Sequence, residues 1–327
     1  MQGDVRRKDK MNEIYDEYIK KCLEAYNNGS PAYYYCVIPS CGDATCPNEF
    51  CAEKLHCQNC LDRIFWQDEY RHLRYSCKPI TYYYVLRYLN RYASEMNYIF
   101  NHFSFWNNNF GHKNIVSIGS GPACEFVGFE FVFRARATNM DSCHFYAYEM
   151  NPIWSDVQHF LSDIVETQSP AVNLFFKNEN FDETDSLAGD IDIVILNYVL
   201  SDIHKHSEKE GADFVLSGRD FEVEEYLESR IQPILNRMKS GSYLIINDTN
   251  SNNMGRDAIE TWVDELTGFD IHKFVFNYSS RYSEQKFKTN CKVLPKESLK
   301  FQSSEDISFF TDSISECRSA FVVIKKL

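Results

Sequence analysis

The sequence has no long apolar run and no excess of positive charge. It contains no stretch of about 18 consecutive apolar residues, which excludes an ordinary membrane-spanning helix. The amino-terminal segment MQGDVRRKDKMNEIYDEY lacks the apolar centre of a secretory signal. The formal net charge of −13 argues against broad electrostatic binding to a nucleic-acid backbone, although a local basic groove is still possible. We therefore expect a soluble protein of the cytoplasm, the nucleus or both, which is not secreted.

The cysteines are unevenly distributed along a chain that has no internal repeat. In a reducing compartment, a local cluster of cysteines indicates metal binding rather than disulfides. The cysteines of the first quarter of the chain form such a cluster: Cys22, Cys36, Cys41, Cys46, Cys51, Cys57, Cys60 and Cys77. The later, scattered cysteines are expected to be small buried side chains: Cys124, Cys143, Cys291 and Cys317.

The stretch CGDATCPNEFCAEKLHC predicts a zinc site. Three thiolates from one loop and a fourth from a later helix can hold a tetrahedral zinc ion. The ligands in this interpretation are Cys41, Cys46, Cys51 and Cys77. Alternates are Cys57 and Cys60, which have the more usual two-residue spacing, and His56 and Cys36. Reduced cysteines packed in a small helical domain without metal are the simpler alternative.

The run CGDATCPNEFCA resembles the AZUL domain, the amino-terminal zinc finger of E3 ubiquitin ligases. The resemblance covers approximately residues 11–80. It implies a helix–loop–helix with one structural zinc ion held by the four cysteines, of which Cys77 is the least well matched. In that family the domain docks a protein partner. The resemblance therefore implies recruitment of a protein or substrate, not ubiquitin transfer.

The composition changes near residue 80, which predicts two domains, 1–80 and 81–327. The segment ITYYYVLRYLNRYASEMNYIFNHF has apolar residues at helical spacing and predicts one long helix that contributes to the core rather than stacking on bases. From residue 114 onward, strand-like and helix-like segments alternate. That alternation predicts an α/β domain in which a largely parallel sheet is covered by helices.

Seven strands are predicted in this second domain: NIVSIG, CHFYAYEM, VNLFFKN, IDIVILNYV, GSYLIINDT, IHKFVFNY and SAFVVIKKL. Helices are expected at Pro152–Val165 and Phe221–Met238, and loops or lids at 208–220 and 280–312. The last two strands are joined by a long connection without helical periodicity. This favours a final strand that is inserted antiparallel to its neighbours.

The first strand runs into a glycine turn in NIVSIGSGPACEFVGF. The dinucleotide fingerprint Gly-x-Gly-x-x-Gly needs a third glycine where this chain has Cys124, which argues against an NAD-dependent oxidoreductase. Gly119 and Gly121 still permit a tight turn with positive φ and close backbone approach. Amides of the turn and of the following helix could then face a carboxylate.

The run VSIGSGP, followed by a helix and by FYAYEMNPIW, resembles the class I S-adenosylmethionine-dependent methyltransferases. The resemblance covers roughly residues 80–327 and implies a seven-stranded Rossmann-like sheet. By position, it implies a glycine loop around the methionine part of the cofactor and Glu149 as the ligand of the ribose. KNENFDE and IDIVILNYVLSDI resemble the segments that face the adenine and the acceptor. The implied cofactor-binding residues are Ser117, Gly119, Ser120, Gly121, Pro122, Glu149, Met150, Asn180, Phe181, Asn197 and Tyr198.

Two positions depart from that family's pattern. Ser117 stands where the family has an acidic residue, although a hydroxyl can still bond the cofactor's amino group. Ala123 replaces the usual third glycine and is the smallest substitute. The Asn197-Tyr198 segment lacks the paired prolines of the amino-methylating subset, which disfavours a planar base nitrogen or glutamine as acceptor.

Most of these residues also have simpler interpretations. Glu149 could be a solvated strand end, Asn180 the cap of a turn and Phe181 a core residue. Asn197 and Tyr198 could merely end a strand. The glycine turn itself could belong to a Rossmann-like domain that no longer binds a ligand.

Methyl transfer depends mainly on placing the acceptor, because the sulfonium is already an activated donor. A base is needed only when the acceptor must first lose a proton, and the nearest candidates are Asp202 and His204. His204 and His206 are otherwise interpreted as surface histidines.

We therefore predict an S-adenosylmethionine-dependent methyltransferase whose zinc module recruits a protein or the substrate. The methyl acceptor is a protein, a small molecule or RNA, and no membrane is involved. The alternative is a non-catalytic interaction protein with a degenerate Rossmann-like domain.

Overall fold

The computed structural model describes the chain over residues 13–28, 57, 61, 78–103, 105, 112–136, 142–182, 184–206, 217–250, 255–277, 286–311 and 315–327. The helices of this part are α1 (Glu13–Asn28), α2 (Lys78–His102), α3 (Cys124–Arg136), α4 (Ser155–Gln168), α5 (Leu200–His206), α6 (Ser217–Tyr226), α7 (Gln232–Arg237), α8 (Arg256–Glu265) and α9 (Ser308–Thr311). The strands are β1 (His112–Ile118), β2 (Ser142–Tyr148), β3 (Val172–Lys177), β4 (Ile193–Asn197), β5 (Tyr243–Thr249), β6 (Phe269–Phe276), β7 (Cys291–Leu294) and β8 (Ser319–Lys326). Among the described residues, no helix has the length and apolar character needed to span a membrane.

The strands form one mixed sheet in the order β3-β2-β1-β4-β5-β8-β6-β7. The first five strands run parallel, in the order typical of an open, doubly wound Rossmann-like sheet. β8 lies antiparallel between β5 and β6, which confirms the predicted inserted strand. The fold is therefore a Rossmann-like α/β sheet of the arrangement expected for the methyltransferase resemblance.

The prediction of seven strands is wrong, because the described part of the chain already forms a sheet of eight. All seven predicted strands are present, and the additional one is β7, which pairs parallel with β6 at the edge of the sheet. It lies in the segment 280–312, which was predicted to be loop or lid. At four residues, with Lys292 and Val293 both exposed, β7 is too short to show the alternation of a half-buried strand.

The two faces of the sheet are covered by different helices, as alternation along each strand requires. Ile115, Ile195 and Ile245 belong to a core shared with α1, α2, α3 and α4. Val116, Leu196 and Ile246, their neighbours in sequence, belong to a second core shared with α5 to α8. Both faces of the sheet are thus buried. A ligand can therefore reach the sheet only where the strands end.

Helix α1 lies within the region predicted to be the amino-terminal module, yet it packs on α2 and α4. Ile14, Tyr18 and Ile19 are almost fully buried in the same core as the sheet. The Tyr18 hydroxyl donates a 3.0 Å hydrogen bond to the carbonyl oxygen of Pro122 in the glycine turn. Residues from the beginning of the chain therefore contribute to the core beneath the candidate site.

Helices α2 and α3 cross at Gly128. A β-carbon there would meet the carbonyl oxygen of Ala93 and lie 2.9 Å from the amide nitrogen of Asn97. Both are backbone atoms, which cannot move aside like a side chain. The helices approach this closely only because residue 128 has no side chain.

Candidate functional site

The glycine turn at the end of β1 has left-handed backbone at both glycines. Gly119 has φ of +65° and Gly121 has φ of +51°. A β-carbon at Gly119 would lie 2.9 Å from Val199 Cγ2, so a side chain would collide with the segment that follows β4. Glycine at 119 is therefore required both by the backbone angle and by the close approach of the neighbouring loop.

The amides of the turn already donate within the protein. Ser120 N–H donates to the Tyr148 carbonyl at 3.0 Å, and Ala123 N–H donates to the Ser120 carbonyl at 2.7 Å. Gly121 N–H donates to Glu149 Oε2 at 3.0 Å. Of these three amides, that of Gly121 faces a carboxylate, which is the protein's own Glu149. The other two donate to backbone carbonyls.

Glu149 follows β2 and is positioned by two backbone amides. Besides the bond from Gly121, its Oε1 accepts a 2.7 Å bond from Asn151 N–H. Burial raises the pKa of this carboxyl, while the two amide bonds act in the opposite direction. Each carboxylate oxygen keeps a further lone pair, so Glu149 can still accept bonds from two neighbouring hydroxyls.

A pocket of about 650 Å³ opens between the turn, the end of β2 and the segment after β4. This is the carboxyl edge of the parallel strands, where open α/β sheets bind ligands, and the volume lies in the usual range for small-molecule sites. The sequence-predicted residues that line it are Gly119, Ser120, Gly121, Pro122, Glu149, Met150, Asn197, Tyr198 and Asp202. The structure thus brings the glycine turn, the acidic strand end and the post-β4 segment together.

Other predicted residues lie elsewhere in the described structure. Phe181 is buried and packs its ring on Tyr148, with centroids 4.9 Å apart, and Asn180 is exposed. Neither is among the residues lining the pocket. His204 is only 1% exposed, so its interpretation as a surface histidine is wrong. The side chain of His206 lies outside the described residues.

An aromatic wall that the sequence did not predict faces the turn. Tyr84 and Tyr92 from α2, with Trp154, line the pocket and are also part of the core. The Tyr92 and Tyr198 rings stack with centroids 3.9 Å apart. Helical spacing in α2 indicated only a core role, because it cannot show which buried rings lie beside a cavity.

A buried polar network supports the segment after β4 from behind. Glu95 of α2 accepts hydrogen bonds from the Tyr198 hydroxyl at 2.8 Å and from Asn247 Nδ2 at 3.2 Å. Asn247 Nδ2 also donates to Asn197 Oδ1 at 2.9 Å. Asn197 is thereby held with its amide nitrogen available for a group on its other side.

That group is Glu125, in the first turn of α3, which lines the pocket and is 1% exposed. Ser117, fully buried behind it, donates a 2.6 Å hydrogen bond to Glu125 Oε1. Burial raises the pKa of Glu125 to about 7, against the effect of hydrogen bonds from Ser117, from its own backbone amide and from Asn197. The nearby charge of Glu149 raises it further.

The pocket is acidic. Its lining includes four carboxyl side chains, Glu125, Glu149, Asp202 and Glu222, and its described members include no lysine, arginine or histidine. The Ser120 hydroxyl is buried at the pocket and has no hydrogen-bond partner among the described residues. The site therefore suits a ligand that carries positive charge and can bond a hydroxyl.

Most of the predicted zinc ligands lie outside the part of the chain that the structure describes. Cys41, Cys46, Cys51, Cys77 and the alternate Cys60 lie outside the described residues, and Cys57 is buried in the core. Within the described ranges, no group of three or more His, Cys, Asp or Glu side chains is placed to hold a metal ion. The zinc module stays a prediction.

Of the later cysteines, Cys124, Cys143 and Cys317 are buried as expected, and Cys291 is half-buried.

Comparisons with known proteins find similarity only at the level of structure. No protein-family model matches the chain, and no curated protein matches it. A Listeria monocytogenes protein assigned to the class I S-adenosylmethionine-dependent methyltransferases is 11% identical over 97% of this chain and 88% of its own, with a TM-score of 0.39. A methyltransferase from Pyrococcus furiosus is 11% identical over 70% and 83%, with a TM-score of 0.36.

A third solved structure, from Streptococcus mutans, is assigned as a methyltransferase and contains S-adenosylhomocysteine. It is 13% identical over 66% of this chain and 90% of its own, with a TM-score of 0.32. All three identities and TM-scores are low. The fold assignment therefore rests on the strand order and connectivity, and none of these similarities establishes an activity.

Proposed function

We propose that this protein is an S-adenosylmethionine-dependent methyltransferase. The observation that carries the proposal is the pocket at the carboxyl edge of the sheet, where a turn with two left-handed glycines meets Glu149. The ribose of the cofactor carries two adjacent hydroxyls, which match the free lone pairs of Glu149. The exposed Met150 is next to Glu149 and is available to cover an adenine ring.

The charge of the pocket supports the same cofactor. S-adenosylmethionine carries a sulfonium and an ammonium group, and the lining offers carboxylates and aromatic rings, both of which stabilise cations. Bound there, the cofactor supplies an activated methyl group, and the chain's own residues position the acceptor. Asp202, which lines the pocket just after β4, is the residue placed to accept a proton from an acceptor that must lose one.

The acceptor is a small molecule or a protein side chain rather than RNA in this proposal. A phosphate backbone would be repelled by Asp202 and Glu222, the two carboxyl side chains of the lining that do not face the cofactor in this proposal. We also retain the amino-terminal zinc module as part of the proposal: a structural ion on Cys41, Cys46, Cys51 and Cys77, in a unit that recruits a protein or the substrate. Elemental analysis should find about one zinc ion per chain, reduced in Cys46→Ser; a metal-free, folded protein would remove the module.

Calorimetric titration with S-adenosylhomocysteine tests the cofactor site on which the proposed activity depends. We expect binding to the wild type, and at least about tenfold weaker binding to Glu149→Ala, because a charged acceptor of hydroxyl bonds is lost. Gly121→Trp should abolish binding by filling the space beside Trp154. Glu179→Ala, an exposed carboxylate removed after β3, is the matched control and should bind normally. A folded wild type that gives no heat at millimolar ligand would favour the non-catalytic interaction protein instead.

A further inference from the structure

Glu125 is a buried carboxyl group to which the proposed function assigns no role. It lies at the start of α3, it lines the pocket, and it is 1% exposed. Every partner that the structure gives it is neutral: the Ser117 hydroxyl, its own backbone amide and the Asn197 side chain. Within the described part of the chain it has no lysine, arginine or histidine partner. A buried carboxylate without a cation is costly, and such groups are normally paired.

Ser117 lies behind Glu125 and is hydrogen-bonded to its carboxylate. Ser117 stands at the end of β1, where the resembling family has an acidic residue, and its side chain is fully buried behind Glu125. Ser117 is not among the residues that line the pocket, and its described side-chain hydrogen bond goes to Glu125. The serine hydroxyl orients the Glu125 carboxylate through a hydrogen bond of 2.6 Å.

We infer that Glu125 binds the ammonium group of the cofactor's amino-acid part, with Ser117 and Asn197 orienting its carboxylate. This inference rests on the proposed function, because it names the group that recognises one end of that cofactor. Glu149 serves the ribose in the same pocket, so the two carboxylates bind opposite parts of one ligand. Ser117 thereby acts as a positioning residue rather than as a direct ligand.

The inference predicts a characteristic dependence on pH. The pKa of Glu125 near 7 means that a large fraction of the empty protein is protonated there at neutral pH. An ammonium group favours the ionised form and lowers that pKa, so binding releases a proton. Affinity for a ligand with the ammonium should therefore increase as pH rises from about 5.5 to about 7.5, where the ligand's amine stays charged.

Two ligands separate this effect from other contacts. S-adenosylhomocysteine contains the amino-acid part, whereas 5′-methylthioadenosine has the same nucleoside and thioether without it. We expect Glu125→Gln to weaken S-adenosylhomocysteine about 10- to 100-fold and to leave 5′-methylthioadenosine within about threefold. The wild type should show a stronger pH dependence and a greater proton release with the first ligand than with the second, because Glu149 faces the ribose of both and contributes equally to both. Glu130→Gln, the same substitution one and a half turns along α3 and away from the pocket, is the matched control.

The outcomes distinguish the inference from the proposed function. Equal losses for both ligands in Glu125→Gln, or equal pH dependence of both ligands in the wild type, would overturn the role of Glu125 while the cofactor site stands. Failure of the wild type to bind either ligand would overturn the proposed function and this inference together. The wild-type measurements need no variant, so they decide the question even if Glu125→Gln does not fold.

Discussion

Tyr198 shows how single residues shape the pocket. Its φ of +60° is unusual for a residue with a bulky side chain and costs on the order of 1–3 kcal/mol. Stacking on Tyr92 and the hydrogen bond to Glu95 hold it in place. Burial, followed by the charge of Glu95, raises the pKa of Tyr198 well above its usual value. The residue therefore stays a neutral phenol that walls the site and does not act as a base.

The burial of Glu125 also predicts how the stability of the folded protein depends on pH when no ligand is bound. Burial raises its pKa from 4.5 to about 7, so the folded state holds this proton more tightly than the unfolded state. The stabilisation is fully present below about pH 4.5 and is lost as pH rises through about 7. One pKa unit corresponds to about 1.4 kcal/mol, so the rise in the pKa of Glu125 stabilises the folded state by about 3 kcal/mol at most.

Urea unfolding at pH 5 and pH 7.5 measures this effect. Other buried carboxyls such as Glu149 contribute to the wild-type slope, so the comparison is with Glu125→Gln, which cannot titrate. The variant should lose less stability than the wild type between the two pH values. Identical slopes in the two proteins would show that Glu125 is not a buried titrating group.

At the residue scale, some residues of the pocket could be predicted from the sequence and others could not. Gly119, Gly121 and Glu149 have local signals, namely a turn after a strand and an acid at the next strand's end. Glu125 has none, because its meeting with Ser117 depends on the direction in which α3 leaves the turn. The sequence offered only an indirect hint, namely a missing acid in the strand followed by a carboxylate in the first turn of the helix.

At the scale of elements, prediction succeeded where periodicity was strong. The long helix predicted from residue 80 is α2, and all seven predicted strands are present. The predicted helix Phe221–Met238 is instead α6, a π-helical turn at Leu227–Ile231 and α7. Pro233 explains the interruption, since it cannot donate to residue 229 and its ring would clash there.

The crossing of α2 and α3 gives an element-scale prediction. In an ordinary helix interior, replacing glycine by alanine stabilises by about 0.5–1 kcal/mol. In Gly128→Ala the new methyl group would collide with the backbone at Ala93 and Asn97, so we expect destabilisation by about 1–3 kcal/mol instead.

Chemical denaturation tests this sign reversal. Gly189→Ala is the control, because a β-carbon at Gly189 would meet nothing within 4 Å and should change stability by less than about 0.5 kcal/mol. A Gly128→Ala protein as stable as the wild type would mean that the two helices are not in close backbone contact.

At the scale of the whole molecule, α1 joins the start of the chain to the core of the sheet. The predicted boundary at residue 80 separates two domains, yet Ile19 is fully buried in the core that α2, α3 and the sheet share. The cysteine pattern predicts a separate module and gives no information about where α1 packs. Tertiary packing of this kind has no signal in local sequence.

We expect Ile19→Ala to lower the free energy of unfolding of the whole protein by about 2–5 kcal/mol, as loss of a buried aliphatic side chain does. Circular dichroism and tryptophan fluorescence should report the same shifted transition, since α1 and the sheet would unfold together. Lys20→Ala, at the neighbouring exposed position, should change little. Two separate transitions, with only the first affected by Ile19→Ala, would support independent domains.

The placement of β8 has a consequence for how the chain reaches its native state. β5 and β6 are not joined to each other, and the strand between them comes from much later in the sequence, with Thr249 paired to Ser319. During synthesis, β1 to β5 can assemble as soon as they emerge, whereas β6 has no place in the sheet until β8 arrives. The exposed edge of β5 is the surface that a nascent chain must keep from pairing with its neighbours.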